Sequence, residues 1–148
     1  MKVLALGGSG GMGRFAVETC MDFDNISEVI VADINADAAI AFANSMNGKV
    51  SGIGLDVTDT DALKAQMEEV DVVINTVGPF YKYGPPILQA AIDKSCHYLD
   101  INDDWEPTLE MLSLHEKAEN NSITAILGMG ASPGLTNMLG AAAIQELD

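Results

Sequence analysis

Cysteine, basic residues and long apolar runs are all scarce in this chain, and each shortage closes off a class of function. Cys20 and Cys96 share no Cys-x-x-Cys spacing, and His97 and His115 stand alone, so neither a thiol-redox motif nor a metal site is expected. Both cysteines read as buried thiols, one on the apolar face of a helix and one opening a strand. Lys and Arg number 7 against 22 Asp and Glu, a net charge of −15, which leaves no basic cluster to grip a nucleic-acid backbone. No apolar run approaches a membrane span, and no charged n-region precedes an h-region. With the first strand starting at Lys2, no targeting peptide is expected and the reading is cytoplasmic, with no nucleic-acid and no membrane partner. Linkers, repeats and low-complexity segments are also missing. What remains, 148 residues with 48% hydrophobic and 20% charged content, is enough for one globular domain with a sizeable core.

What the chain has is glycine in one place. Gly7-Gly8-Ser9-Gly10-Gly11-Met12-Gly13 follows the apolar run Lys2–Leu6 and precedes a helical pattern from Arg14 to Met21, with Phe15, Val17, Cys20 and Met21 apolar. Within this knot Gly8-x-Gly10-x-x-Gly13 fits a dinucleotide fingerprint. One glycine permits the tight turn, one lets backbone approach a pyrophosphate, and the third lets helix and strand pack closely. The helix N-terminus adds unpaired N–H groups and partial positive charge for the phosphates. A glycine fingerprint alone is weak. The next apolar run, Glu28–Asp33, strengthens it, because Asp33 stands at the ~20-residue spacing of the acid that accepts hydrogen bonds from the adenosine ribose. No Lys or Arg follows within Ile34-Asn35-Ala36-Asp37 to hold a 2′-phosphate. NAD is therefore the preferred cofactor and NADP a possible one.

Strand and helix patterns alternate to the end. A helix starts at Asn35 (Ala38, Ala39, Ile40, Phe42, Met46) and stops near Asn47-Gly48. A third strand covers Lys49–Leu55. Thr58-x-x-Asp61 caps a helix whose Leu63 and Met67 face inward. Val70–Asn75 is a fourth strand, and Gly84-Pro85-Pro86 launches a helix over Ile87, Leu88, Ala91 and Ile92. Cys96–Asp100 forms a fifth strand. Pro107 starts a helix through Leu109, Leu112 and Ala118, and Ile123–Leu127 is the sixth strand. Ser132-Pro133 caps a last helix through Leu135, Leu139, Ala143 and Leu147. The fold class is α/β: a doubly wound parallel sheet in three layers, a Rossmann fold of order 3-2-1-4-5-6.

In that topology the ligand sits outside the carboxyl ends of the strands, where four segments converge. They are the glycine knot, Asn75–Gly84, Asp100–Trp105 and Gly128–Gly134. Short-chain dehydrogenases and epimerases share such a start but need Tyr-x-x-x-Lys, and Tyr81, Tyr83 and Tyr98 are followed four residues on by Pro85, Ile87 and Asn102. A methyltransferase fits the doubled glycine motif and the strand-six loop poorly. A regulatory NAD(H)-binding module without catalysis stays open as the non-enzyme alternative. Tyr81 and Tyr83 read as pocket wall or inter-domain packing as readily as catalytic groups, Trp105 as an anchor against a further domain or a substrate contact, His97 as a core or edge residue rather than an acid–base, and Asp103 and Asp104 as helix-start charges.

NTVGPFYKYGPPILQAAI, HYLDINDDWEP and GMGASPGLTN, in this order and spacing, resemble the nucleotide-binding domain of the saccharopine dehydrogenase-like reductases, with lysine 6-dehydrogenases close by. The resemblance covers essentially the whole chain. It implies residues 1–133 as the dinucleotide domain, and residues 134–148 as the start of a helix leading to a substrate domain outside these 148 residues. It implies hydride transfer between nicotinamide and an amine-bearing carbon, giving an imine that water opens, with a small-molecule amino-acid substrate and a homodimeric parent enzyme. On its own, the 148-residue piece is expected to be inactive. Carried over, Gly8, Ser9, Gly10, Gly11, Met12 and Gly13 form the pyrophosphate turn and Asp33 holds the ribose. Asp56 and Val57 lie beside the adenine, and Asn75, Val77, Gly78 and Pro79 flank the nicotinamide half. Tyr81, Asp100 and Met129 face the substrate, with Asp100 the candidate catalytic group beside the amine. Met129 and Ser132 depart from relatives that carry a polar or cysteine residue and Asp there, which leaves the particular amino acid open.

Overall fold

Strands covered by helices on both faces need no alternation of polar residues, and around such a core, the runs Lys2–Leu6 and Glu28–Asp33, six strands lie parallel in one sheet of the computed structural model. Residues 1–46 and 48–147 are described. The strands are β1 (Lys2–Leu6), β2 (Glu28–Asp33), β3 (Val50–Gly54), β4 (Val72–Asn75), β5 (His97–Asp100) and β6 (Ala125–Ile126). Their order is β3-β2-β1-β4-β5-β6, the expected Rossmann arrangement. At its C-terminal end β1 carries Leu6 between Ala32 of β2 and Asn75 of β4. Connections leave in opposite directions on the two sides of β1 and β4, which opens a crevice at that edge.

The helices are α1 (Gly11–Cys20), α2 (Ala36–Ser45), α3 (Thr60–Met67), α4 (Phe80–Asp93), α5 (Trp105–Leu112), α6 (His115–Asn120) and α7 (Leu135–Gln145). Side chains of β1 alternate between two cores. Leu4 and Leu6 join Val73, Tyr98, Ile87 and Leu88 on the α4 face. Val3 and Ala5 join Val29, Val31, Val17 and Phe42 on the α1 face. Cys20 and Cys96 are free and buried, and burial pushes the Cys96 thiol up to about 12.

Several boundaries differ from the sequence reading, each for a local reason. The strands read at Lys49–Leu55, Val70–Asn75, Cys96–Asp100 and Ile123–Leu127 lose residues at their ends. Helix α1 starts at Gly11 rather than Arg14, so the last three residues of the glycine knot, Gly11 to Gly13, are helical. Asn35 caps α2 by accepting from Ala38 N at 3.1 Å. That helix ends at Ser45, and Asn47, where the stop was expected, lies outside the described residues. Asp59, not Thr58, caps α3, because the Thr58 hydroxyl is taken by Asp56 Oδ1 at 2.7 Å. Helix α4 begins at Phe80, with Pro85 and Pro86 inside it. The Pro79 carbonyl accepts from Lys82 N and Tyr83 N and starts the turn. The carbonyls those prolines cannot serve, on Tyr81 and Lys82, belong to exposed residues that water can satisfy.

The helix expected from Pro107 starts at Trp105 and breaks into α5 and α6, where the Ser113 hydroxyl bonds the Glu110 carbonyl in competition with the backbone. Gly134, not Ser132-Pro133, precedes α7. Phe15 is 67% exposed, and no residue of α7 is buried, so Leu135 and Leu139 form no inward spine. Beyond β1 the α1-side face of the sheet stays open. Ile74 and Leu99 line a trough of ≈ 800 Å³ there with Met12, Phe15, Met129 and Leu135. Among the described residues no helix is long and apolar enough to cross a membrane, and no His, Cys, Asp and Glu group could hold a metal ion.

Candidate functional site

The glycine turn is shaped by backbone contacts that exclude side chains. Gly7 has φ +69°, a left-handed conformation, and its N–H donates to Ala32 O at 2.9 Å. A Cβ on Gly13 would stand 2.6 Å from Gly8 Cα, so α1 can approach β1 this closely only without a side chain there. Gly10 caps α1 without a side-chain hydrogen bond, and the first turn carries no acidic residue. The first-turn amides are therefore left for an external acceptor. A dinucleotide pyrophosphate fits that cradle: it supplies acceptors where the chain supplies only donors.

Asp33 ends β2 beside this turn. Its Oδ2 accepts from Ser9 Oγ at 2.6 Å and its Oδ1 from Asn35 N at 3.1 Å. Each oxygen keeps a further lone pair for a sugar hydroxyl. Arg14 reaches back from α1, its Nε donating to Ser9 O at 2.7 Å while its guanidinium covers the Phe42 ring at 4.8 Å. Sequence reading looked for a cation only after β2 and missed this one, which α1 carries to the same corner. On the far side, hydrogen bonds from Thr58 hold the Asp56 carboxyl below the usual range.

A cleft of ≈ 330 Å³ joins these parts, lined by Gly10, Asp33, Asp56, Val57, Val77 and Gly78 among others. Thr76 also lines it. Its hydroxyl donates to Leu6 O at 2.9 Å and so ties the loop after β4 to the end of β1. Thr76 lines the apolar trough as well, so cleft and trough adjoin there. Pro79 caps α4 at the cleft's rim. Met129 lies half exposed in the trough. Tyr81 is exposed on the first turn of α4 rather than in a loop.

Asp100 reaches the ligand edge but turns inward. It is 1% exposed, with Oδ1 accepting from Gly128 N at 2.8 Å and Asn102 N at 3.1 Å, and Oδ2 from Tyr98 OH at 3.0 Å. Burial raises its pKa against the pull of those three donors. That sequestration does not fit a carboxylate standing beside a substrate amine. Asn75 is likewise buried, donating from Nδ2 to Tyr98 OH at 2.9 Å and accepting from Val77 N at 3.0 Å. Tyr98 escaped the sequence reading because it was weighed only as half of a Tyr-x-x-x-Lys pair. Its position two residues before Asp100, on the same face of β5, was the available signal. His97 accepts from Thr124 N at the exposed start of β5.

Comparison with known proteins bears on the family and the fold. Residues 3–126 match the family model described as the saccharopine dehydrogenase NADP binding domain. A probable mitochondrial saccharopine dehydrogenase-like oxidoreductase of Arabidopsis thaliana is 26% identical over 93% of this chain and 34% of its own length. The human saccharopine dehydrogenase-like oxidoreductase is 32% identical over 58% of this chain and 20% of its own. Among solved structures, apo saccharopine dehydrogenase (L-Glu forming) from Saccharomyces cerevisiae superposes with a TM-score of 0.84 and 27% identity, covering 98% of this chain and 31% of that one. The chain thus spans about a third of the length of the Arabidopsis and yeast proteins.

Proposed function

Because the chain belongs to the saccharopine dehydrogenase NADP-binding domain family, a family of oxidoreductases, we propose that it is the cofactor half of an enzyme acting at an amine-bearing carbon. The observation that carries this reading is the meeting, in one cleft at the β1/β4 reversal, of the uncapped α1 N-terminus with Asp33 and the Val77–Gly78 loop. When bound, the nicotinamide would accept or supply the hydride. The chain's own residues bind, orient and exclude water. The first-turn amides of α1 hold the pyrophosphate, and Asp33 takes the ribose hydroxyls with Ser9 fixing its orientation. Val57 and Leu55 form an apolar wall at the adenine end, where adenine loses little by leaving water.

The family model is described by NADP, whereas Asp33 favours NAD, since a carboxylate accepts from a ribose diol and repels a 2′-phosphate. We assign NAD as the tighter ligand. Arg14, anchored on Ser9 O, is the cation that allows NADP as the weaker one.

Substrate chemistry belongs to a longer protein. An amino-acid substrate needs a clamp for its carboxylate, and the only arginine of this chain stands at the ribose end of the cleft, beside Ser9. We assign that clamp, and a dimer contact, to a further domain that covers the apolar trough beside Thr76. A dry, closed site is what hydride transfer requires of such a domain. Calorimetric titration with NADH and NADPH tests the cofactor half. Binding of both, NADH tighter, is the expected result, and no binding of either would end the proposal.

A further inference from the structure

We propose that Asn75, Tyr98 and Asp100 form a buried positioning relay that locks the loop after β4 to the loop after β6, so that the two walls of the nicotinamide end keep one arrangement. This rests on the dinucleotide reading above. The relay begins and ends on backbone amides of different loops. Val77 N donates to Asn75 Oδ1, Asn75 Nδ2 to Tyr98 OH, and Tyr98 OH to Asp100 Oδ2, while Asp100 Oδ1 takes Gly128 N. The direction is fixed throughout. Asn75 must point its nitrogen at the phenol because its oxygen faces an N–H, and the phenol must then give its proton to the carboxylate.

Sheet geometry makes the chain of bonds possible. Asn75 and Asp100 are register partners across β4 and β5, and Tyr98 lies two residues before Asp100 on the same face. Asp100 also grips the far loop with its main chain, its carbonyl accepting from Met129 N at 2.7 Å. Asn102 extends the hub to α5. It donates from Nδ2 to Thr108 Oγ1 at 2.7 Å and accepts from Asp104 N at 2.9 Å.

Stability alone is a poor reason for this cluster. Asn75 and Asp100 are 0% and 1% exposed, and among the described residues no Lys, Arg or His forms an ion pair with the carboxylate. An isolated buried charge held by neutral donors is costly, and apolar residues of the same volume would pack there at less cost. What apolar residues could not do is hold two glycine-containing loops in one register. Val77 and Gly78 line the cleft, and Met129 and Gly130 line the adjoining trough, so the relay spans the boundary at which hydride must pass.

The test uses the 148-residue chain and Tyr98→Phe, which keeps the ring and removes both bonds of the phenol, to Asn75 and to Asp100. Titration with NADH and with ADP separates the two halves of the cleft. NADH affinity should fall about 10-fold, because loops no longer held by the relay must be ordered when the nicotinamide end binds, while ADP affinity stays within about 2-fold. Amide exchange followed by NMR should quicken at both Val77 and Gly128, with α2 unchanged. Asn75→Ala, which cuts the relay at β4, should also quicken exchange at Gly128, and it replaces Tyr98→Phe if that variant fails to fold. Equal losses for NADH and ADP, or an unchanged Gly128 amide, would overturn the relay. A parent chain that binds neither ligand would instead overturn the dinucleotide reading, and the exchange experiment would still decide the relay.

Discussion

Ser9 Oγ donates to Asp33 Oδ2 at 2.6 Å, joining the glycine turn after β1 to the carboxylate that ends β2. The bond fixes Asp33 without using both lone pairs of either oxygen, so the carboxylate is held ready for a ribose diol. Arg14 is anchored on the same serine through its carbonyl. Acid and base therefore meet at one residue, and cofactor choice is a contest between them.

Removing the acid should decide that contest. Asp33→Ser is expected to weaken NADH about 10- to 100-fold, the cost of losing charge-assisted bonds to the sugar. NADPH should bind more tightly than to the parent chain, because repulsion of the 2′-phosphate is gone while Arg14 remains. Arg14→Ala in the same background should reverse the NADPH gain only. Calorimetry on the four combinations checks this, and an unchanged NADH affinity would mean that Asp33 does not face the ribose.

The turn itself is unequally tolerant of side chains. Gly13→Ala forces a Cβ to within 2.6 Å of Gly8 Cα, a backbone clash that only movement of α1 relieves. A loss on the order of 3 kcal/mol in urea unfolding is expected, as for an overpacked core site. Gly11→Ala meets nothing within 4 Å in the protein and should leave the unfolding midpoint almost unchanged. Equal destabilisation by the two would contradict the packing described.

Sign matters for Asp100. Its native pKa is raised from 3.8 by burial, so the folded chain holds the proton after the unfolded chain has released it. Its contribution to stability is complete below the unfolded value and is lost as pH rises through the raised native value, then stays level. Relative to Asp100→Asn, the parent chain should lose stability across that window in urea melts. A parent chain that instead gains stability over Asp100→Asn as pH rises would show that its three donors outweigh burial.

Fold and cofactor site were legible for different reasons. Lys2–Leu6 and Glu28–Asp33 matched observed strands to the residue, since an uninterrupted apolar run ending on glycine or an acid has few other uses in an α/β chain. Strand order followed from six strands alternating with helices, read with the glycine fingerprint as two mononucleotide-binding halves. Helix starts were less legible. Pro85 and Pro86 suggested a first turn, yet the helix begins at Phe80, because Pro79 O takes the early amides and the unpaired carbonyls lie at exposed residues. The inward turn of Asp100 was hidden for another reason. Its partner Gly128 is 28 residues distant, and nothing local announces a donor that another strand's loop supplies. Exposure of Phe15 and α7 was equally hidden, since an apolar stripe does not say what covers it.

Turnover is a separate matter from binding. With its single arginine beside Ser9 at the ribose end of the cleft and the trough beside Thr76 open, the 148-residue chain should bind NADH yet reduce or oxidise no amino acid. Absorbance of NADH with lysine, saccharopine and related amino acids should stay flat. Steady turnover by this chain alone would show that it carries a complete site.

A nicotinamide dinucleotide bound as proposed lies across the strand ends from Asp33 to Gly78, and an NMR titration of the amide spectrum with NADH locates it. Gly10, Gly11, Met12, Asp33, Val57, Val77 and Gly78 should shift together and saturate at one site, while Lys49 and Val50, at the opposite edge of the sheet, stay still. Shifts confined to the apolar trough around Phe15 and Leu99, with the glycine turn unmoved, would contradict it.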